Sequence, residues 1–295
     1  MHIQSSHQFE QSSCLYLVGT PIGNLEDMTF RAIRILKEVD VIAAEDTRNT
    51  KKLCHYFEID TPLVSYHAHN EEAGGAKLLN LLKEGKSVAL VSDAGMPCIS
   101  DPGDDLVRKA LAEGFAVVPV PGANAALTAL IASGIPAQPF TFYGFLPRGK
   151  KERKAALELL LSRTETTIYY EAPHRLKEVL AAIQEVLGGE RQIVLARELT
   201  KKFEEFIRGT VDQAIEWATT HEIRGEFCVV VAGTSEQTVE ANKSAEWWEE
   251  LDVKRHVETL MLQKDLSSKQ AIKEVATARQ VNKRDVYAAY HLEGQ

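Results

Sequence analysis

A chain of 295 residues and 32.8 kDa can form one large domain or two to three ordinary ones with real cores, which excludes a disulfide-stapled miniprotein. With 44% hydrophobic and 26% charged residues, its composition is that of a globular enzyme and not of a disordered or collagenous chain. The formal net charge of −8 does not draw in a polyanion, so any nucleic-acid site has to be a local basic patch.

The polar stretch Met1–Ser13 reads as a mobile tail without the basic-then-apolar pattern of a leader, and no apolar run reaches membrane-spanning length. Cys14, Cys54, Cys98 and Cys228 are widely spaced with no CxxC, so the expectation is reduced thiols, no metal, no membrane and a cytoplasmic location. Short apolar strands are then expected at Cys14–Val18, Val39–Ala44, Ser87–Val91 and Ala116–Val120, alternating with helices at Thr29–Lys37, Ala76–Lys83, Asp104–Glu113 and Ala125–Ser133. That alternation implies an α/β domain over residues 14–138 with a mostly parallel sheet, whose ligands sit beyond the carboxyl ends of the strands.

Around Gln138–Lys154 the composition turns to Pro, Gly and basic residues, and a second α/β domain is expected over 139–234. Its helices are placed at Ala155–Leu161 and Leu176–Leu187, and its strands at Thr166–Tyr170, Gln192–Arg197 and Glu226–Val231. A polar linker follows at 235–243, then a helical domain at 244–295. Within it, one helix enters through Ser267 or Ser268 and another follows Asn282, with a turn at Arg279–Val281, in the manner of a helix-turn-helix.

Three segments carry chemistry-bearing residues. Val18-Gly-Thr-Pro-Ile-Gly-Asn24 is a glycine turn directly after a strand, yet it matches neither GxGxxG nor GxxxxGK[ST]. Ser92–Gly103 holds two Gly, two Pro and two Asp after another strand, the mark of a shaped functional loop. Asp93 at the strand tip is suited to a ribose or ammonium group; Asp101 is either a ligand contact or a helix cap before Pro102. Glu45 and Asp46, beside Arg48, and the pair His67 and His69 form two polar clusters whose carboxylates and imidazoles offer general bases if they face a cleft. If they do not, a Glu45–Arg48 ion pair in the wall is the alternative.

Taken together, LYLVGTPIGNL (Leu15–Leu25), AEDTR (Ala44–Arg48), SDAGMPCISDPG (Ser92–Gly103), VPGANA (Val120–Ala125), GFLPR (Gly144–Arg148) and EAPHR (Glu171–Arg175) resemble the tetrapyrrole methylase superfamily. Within it, they resemble the branch that methylates small-subunit ribosomal RNA. The resemblance implies two α/β domains with a cofactor cleft between them, binding of S-adenosylmethionine, and a homodimer. It further implies 2′-O-methylation of a cytidine in the decoding region of small-subunit rRNA, as naked RNA or in the assembled subunit. Cofactor contacts carried over by motif fall on Pro21, Ile22, Val91, Asp93, Met96, Ala123, Asn124, Glu171 and Leu199. The catalytic candidates are Glu45, Asp46 and His67. Met96 and Cys98 stand where relatives often have Thr and an aliphatic residue. Alternatives from other classes are a tetrapyrrole C-methyltransferase and a non-catalytic ribosome-assembly protein.

For RNA, the run Arg148-Gly-Lys-Lys-Glu-Arg-Lys154 offers Arg148, Lys150, Lys151, Arg153 and Lys154. Lys264–Leu292 adds six basic residues against three acidic ones, among which Lys283 and Arg284 are candidates, as is Arg48 in the first domain. The alternative for the C-terminal helices is packing on a partner subunit.

Overall fold

The computed structural model describes Gln4 and residues 13–235, 248, 251–264 and 266–292. Most of the expected tail and linker lies outside the described residues. Gln4 is not loose: its side-chain amide donates to the Val117 carbonyl at 2.9 Å and its amide oxygen accepts from the Val117 N–H at 3.0 Å, imitating a neighbouring strand. The chain divides into two compact units, 1–233 and 234–295.

The first half of the larger unit is built on strands β1 (Cys14–Val18), β2 (Val41–Ala44), β3 (Leu63–Ser65), β4 (Val88–Val91) and β5 (Ala116–Val120). They form one sheet in the order β3-β2-β4-β1-β5, every pair parallel. The unbroken burial of β2 and β4 explains their continuous apolar runs, since helices cover both faces of such a sheet. Helices α1 (Phe30–Glu38), α2 (Thr47–Tyr56), α3 (Glu71–Lys83) and α4 (Asp104–Ala112) connect the strands. Because the strands run parallel, the loops after β1, β2, β4 and β5 open on one rim.

Helix α5 (Ala125–Ser133) departs from the expected division at residue 138. Its Ala126, Ala129 and Leu130 are buried in one cluster with Ile168, Val194, Ala196, Cys228 and Val230, so α5 belongs to the core of the second sheet. The small side chains on that face allow close approach to the strands. This second sheet runs β6-β7-β10-β8-β9, with β6 (Phe140–Phe145), β7 (Thr166–Glu171), β8 (Gln192–Arg197), β9 (Glu205–Thr210) and β10 (Phe227–Val231). Only β6 and β7 pair in parallel; the other three pairs are antiparallel. Its second layer is α6 (Lys150–Glu158), α7 (Leu176–Leu187) and α8 (Val211–Thr220). Helix α6 begins five residues earlier than expected, so Lys150, Lys151, Arg153 and Lys154 of the basic run lie within it while Arg148 precedes it.

The smaller unit contains α9 (Val253–Lys264), α10 (Ser268–Ala278) and α11 (Lys283–Leu292) around Val257, Leu260, Ile272, Val275 and Val286. Ser267 caps α10 in a reciprocal capping box with Gln270, the entry expected from sequence. Arg279, one of the six basic residues counted there, is spent internally. It lies 4.9 Å over the Trp248 ring and donates to His256 Nδ1 at 3.1 Å and to the carbonyls of Trp248 and Leu251. Burial, then the adjacent Arg279, depresses the His256 pKa to about 4, so this imidazole accepts as a neutral ring. Among the described residues no helix is long and apolar enough to cross a membrane.

Candidate active site

Loops on the rim of the first sheet are locked to one another through their backbones. Thr20 and Gly95 exchange N–H···O bonds of 2.8 and 3.1 Å, and the Thr20 hydroxyl lies 3.2 Å from the Ser92 carbonyl as its donor. Gly95 holds φ at 85°, a left-handed conformation that glycine adopts without strain. The loops after β1 and β5 cross at Gly19 and Gly122, where a Cβ on Gly122 would stand 2.7 Å from Gly19 Cα. Cys98 and Ser100 in the Ser92–Gly103 loop, and Glu198 and Thr200 after β8, also have positive φ although none is glycine. Such strained backbone clusters where a ligand site has to be shaped.

Between these loops and the second sheet lies a cleft of about 580 Å³. Of the residues expected in the site, Ile22, Glu45, Asp93, Met96, Asn124, Glu171 and Leu199 line it. Pro21 faces an adjoining hollow of about 310 Å³ that shares Asp93 as a wall. Val91 is buried at the end of β4, and Ala123 turns its carbonyl toward Gly95. His67 does not line the cleft: its ring lies 6.0 Å from that of His69, and its Nδ1 is buried without a partner. Tyr170, Glu198 and Lys201 line the cleft although the sequence does not single them out, and Asp101, left open between ligand contact and helix cap, lines it too. Asp101 does not cap α4, whose N-cap is Gly103.

The wall is strongly acidic. Asp93 accepts from the Asp46 N–H at 3.0 Å and from the Asn49 amide at 3.2 Å, which ties the β4 loop to the start of α2. Burial, and then the neighbouring Asp93 charge, raises the proton affinity of Glu45 above that of an ordinary carboxylate. Asp101 is pushed up to about 7 by burial, then by Glu45 and Asp93. Asp46 behaves oppositely. It caps α2, receives Arg48 Nε at 3.0 Å and Nη2 at 2.7 Å, and is held down at about 2 by those bonds. Arg48 therefore pairs with Asp46, not Glu45, and Asp46 is unsuited to accept a proton. In the opposite wall, burial raises the Glu171 pKa; its Oε1 accepts from the Ala172 N–H at 2.8 Å, while Oε2 is buried with no partner. Among the described residues no cluster of His, Cys, Asp or Glu is arranged to hold a metal.

The raised Asp101 pKa has a sign that can be measured. Between the unfolded carboxylate value near 3.8 and the folded value of about 7, the folded protein binds more protons than the unfolded one, so stability falls as pH rises through that window. Asp101→Asn is expected to raise Tm at pH 8 and to leave it nearly unchanged at pH 4. Equal melting of the two proteins at pH 8 would show that the carboxyl is not strained there.

The basic residues named from sequence separate. Arg148, Lys150 and Lys151 are exposed, as are Lys283 and Arg284 on α11. Arg153 is buried, bonded to Glu178 at 2.6 Å and to the Arg148 carbonyl at 3.2 Å, which removes it from any phosphate-binding surface. Lys154 pairs with Glu185 at 3.3 Å.

Residues 14–215 match the family model described as Tetrapyrrole (Corrin/Porphyrin) Methylases. The chain is 62% identical over 278 residues, 94% of each sequence, to Ribosomal RNA small subunit methyltransferase I of Bacillus subtilis (strain 168). It is 56% identical to the protein of the same name from Halalkalibacterium halodurans, over 98% of this chain and 99% of that one. Among solved structures, cobalt precorrin-4 methyltransferase superposes with a TM-score of 0.55 at 19% identity, covering 79% of this chain and 98% of that one. The uroporphyrin-III C-methyltransferase of Thermus thermophilus, complexed with S-adenosylhomocysteine, gives 0.53 at 19% identity, with coverage of 78% and 100%. These last two share the fold over part of the chain, whereas the sequence relatives extend across almost all of it. Since the family model spans residues 14–215 and the relatives align over almost the full length at well above half identity, the chain belongs to the ribosomal RNA small subunit methyltransferase I family of the tetrapyrrole methylases.

Proposed function

We propose that this protein is an S-adenosylmethionine-dependent methyltransferase that modifies the 2′-hydroxyl of a cytidine in the decoding region of small-subunit rRNA. The observation that carries this reading is the 580 Å³ cleft in which Glu45, Asp93 and Asp101 converge opposite Glu171. The cleft fits the cofactor: carboxylates favour a cation, Ile22, Met96 and Leu199 offer apolar contact, and Glu171 Oε2 is a buried acceptor awaiting a donor. When bound, S-adenosylmethionine supplies an electrophilic methyl group on a cationic sulfur. Pro21, Ile22, Val91, Asp93, Met96, Ala123, Asn124, Glu171 and Leu199 are assigned to holding it, Val91 and Ala123 by setting the positions of their loops.

Glu45 is the group assigned to take the proton of the attacking hydroxyl, because it faces the cleft and its surroundings raise its proton affinity. Alignment of hydroxyl and methyl within the cleft supplies much of the remaining acceleration. Arg48, Arg148, Lys150, Lys151, Lys283 and Arg284 are assigned to RNA, Arg153 being excluded by its burial. We also read the protein as a cytoplasmic homodimer; Leu127 and Ile131, one turn apart on the outer face of α5 and 47% and 80% exposed, suit contact with a second copy.

The test is transfer of labelled methyl groups to small ribosomal subunits, and separately to their naked RNA, from a strain lacking the protein. One labelled cytidine whose 3′ linkage resists alkaline cleavage is the expected result. No label in either substrate would overturn the assignment.

A further inference from the structure

Helix α2 leaves the site with a strongly charged outer face. Arg48, Lys51 and His55 recur at helical spacing and line a hollow of about 660 Å³ between α2 and β3, floored by Leu63 and Ser65. Asp60 is the sole acid among the described residues that line it. Arg48 is 86% exposed, and its bonds to Asp46 leave guanidinium N–H donors unused. Lys51 is also exposed.

This hollow and the acidic cleft have opposite charge and are joined by a very short piece of chain. Glu45 faces the cleft, Asp46 caps α2, and Arg48 enters the hollow. Three residues span at most about 11 Å, so the basic groove begins close to the group assigned to the reacting hydroxyl. A phosphodiester entering the cleft would meet Glu45, Asp93 and Asp101, surroundings that disfavour a further negative charge. The cofactor's cation and the strand's phosphates thus sort onto different sides of the β2–α2 junction, with only the ribose edge required to cross it.

We propose that the α2–β3 groove binds the RNA backbone next to the target ribose, with Arg48 and Lys51 contacting phosphate and His55 extending the track. The inference rests on the proposed rRNA methyltransferase function and adds to it the path of the strand. It does not depend on the basic run of α6, where Arg153 and Lys154 are engaged by Glu178 and Glu185.

The experiment compares wild type with Arg48→Gln/Lys51→Gln in binding to small-subunit RNA across a salt series, alongside methyl-transfer kinetics and calorimetric S-adenosylmethionine affinity. The double variant is expected to bind RNA at least tenfold more weakly at low salt. Its slope of log K against log salt should be shallower by about 1.4, that is, roughly 0.7 for each single-strand phosphate contact. KM for RNA should rise while kcat and cofactor affinity stay within about threefold. A control, Lys37→Gln/Lys77→Gln, removes the same charge from exposed positions on α1 and α3 and should keep the wild-type slope. Since Arg48 also braces the α2 cap, Lys51→Glu is the second test: it leaves the Asp46–Arg48 pair intact and should weaken RNA binding by a similar factor. An unchanged slope in the double variant, or an equal change in the control, would overturn the groove. So would a fall to half the native mass with unaltered RNA affinity, which would make this face a contact between copies. If wild type binds RNA with this salt dependence but transfers no methyl group, the proposed function fails and the groove stands as an RNA site.

Discussion

Glu45→Gln is expected to lower kcat for methyl transfer by about 10²–10⁴-fold, the range that a positioned proton acceptor commonly contributes. The substitution keeps the shape of the side chain and removes its capacity to take a proton. Because Asp93 and Asp101 remain, cofactor affinity should fall less than tenfold, and that separation of kcat from binding is the diagnostic result. The acid limb of the wild-type pH profile should report a carboxyl titrating above the ordinary glutamate value, as burial and the Asp93 charge require. Asp46→Asn supplies the contrast. Asp46 is committed to the α2 cap and to Arg48, and an asparagine retains the capping ability, so its kcat should stay within about tenfold of wild type. A Glu45→Gln enzyme as active as wild type would leave positioning alone to explain the reaction.

Gly122→Val is expected to abolish cofactor binding while the strands persist. A Cβ at this position meets Gly19 Cα at 2.7 Å and Gly19 C at 2.9 Å, and both obstacles are backbone that cannot rotate away. The loops after β1 and β5 must therefore part, taking with them Ile22 and Asn124, which line the cleft. Overpacking of this kind costs about 1–3 kcal/mol, which corresponds to a Tm lower by roughly 2–12 °C. Parallel pairing of β1 with β5 from Cys14 to Val18 lies outside the crossing and should hold. Calorimetry that finds no cofactor binding, together with a cooperative melt and a native circular dichroism spectrum, is the expected outcome. Wild-type affinity would show that the crossing does not position the site.

Helix α5 marks the limit of what local pattern conveys about the fold. Its existence and its bounds at Ala125 and Ser133 follow from the apolar run, but its membership of the second core does not. A helix that is apolar nearly all round carries no label for the sheet it covers. Strand β6 was hidden for another reason: Gly144 takes a φ of 80° at an irregularity after Phe142, so the regular alternation of a strand is broken. Edge strand β9 is half-exposed and polar at several positions, which makes it look like a loop.

In the site, local pattern sets the rim: strands ending in Gly-, Pro- and Asp-rich loops, and motif blocks that hold Ile22, Glu45, Asp93, Met96, Asn124 and Glu171, which the fold gathers around one cleft with Leu199 from outside those blocks. The positions in the first sheet follow parallel strands, which chain direction brings to one rim; Glu171 and Leu199 follow strands of the second sheet and are set opposite by packing. Packing between segments distant in the chain set the rest. It selected Glu45 over Asp46 as the carboxylate facing the cleft, because one borders Asp93 across the strand ends while the other is consumed as a helix cap. It turned Asp101 from a possible cap into a third acid, and buried Arg153 against Glu178 within a run whose basic residues all read alike as RNA contacts. The basic face of α2 was present in the spacing of Arg48, Lys51 and His55, but its nearness to an acidic cleft was not. Burial and charge proximity are sums over residues distant in the chain, and only the folded arrangement contains them.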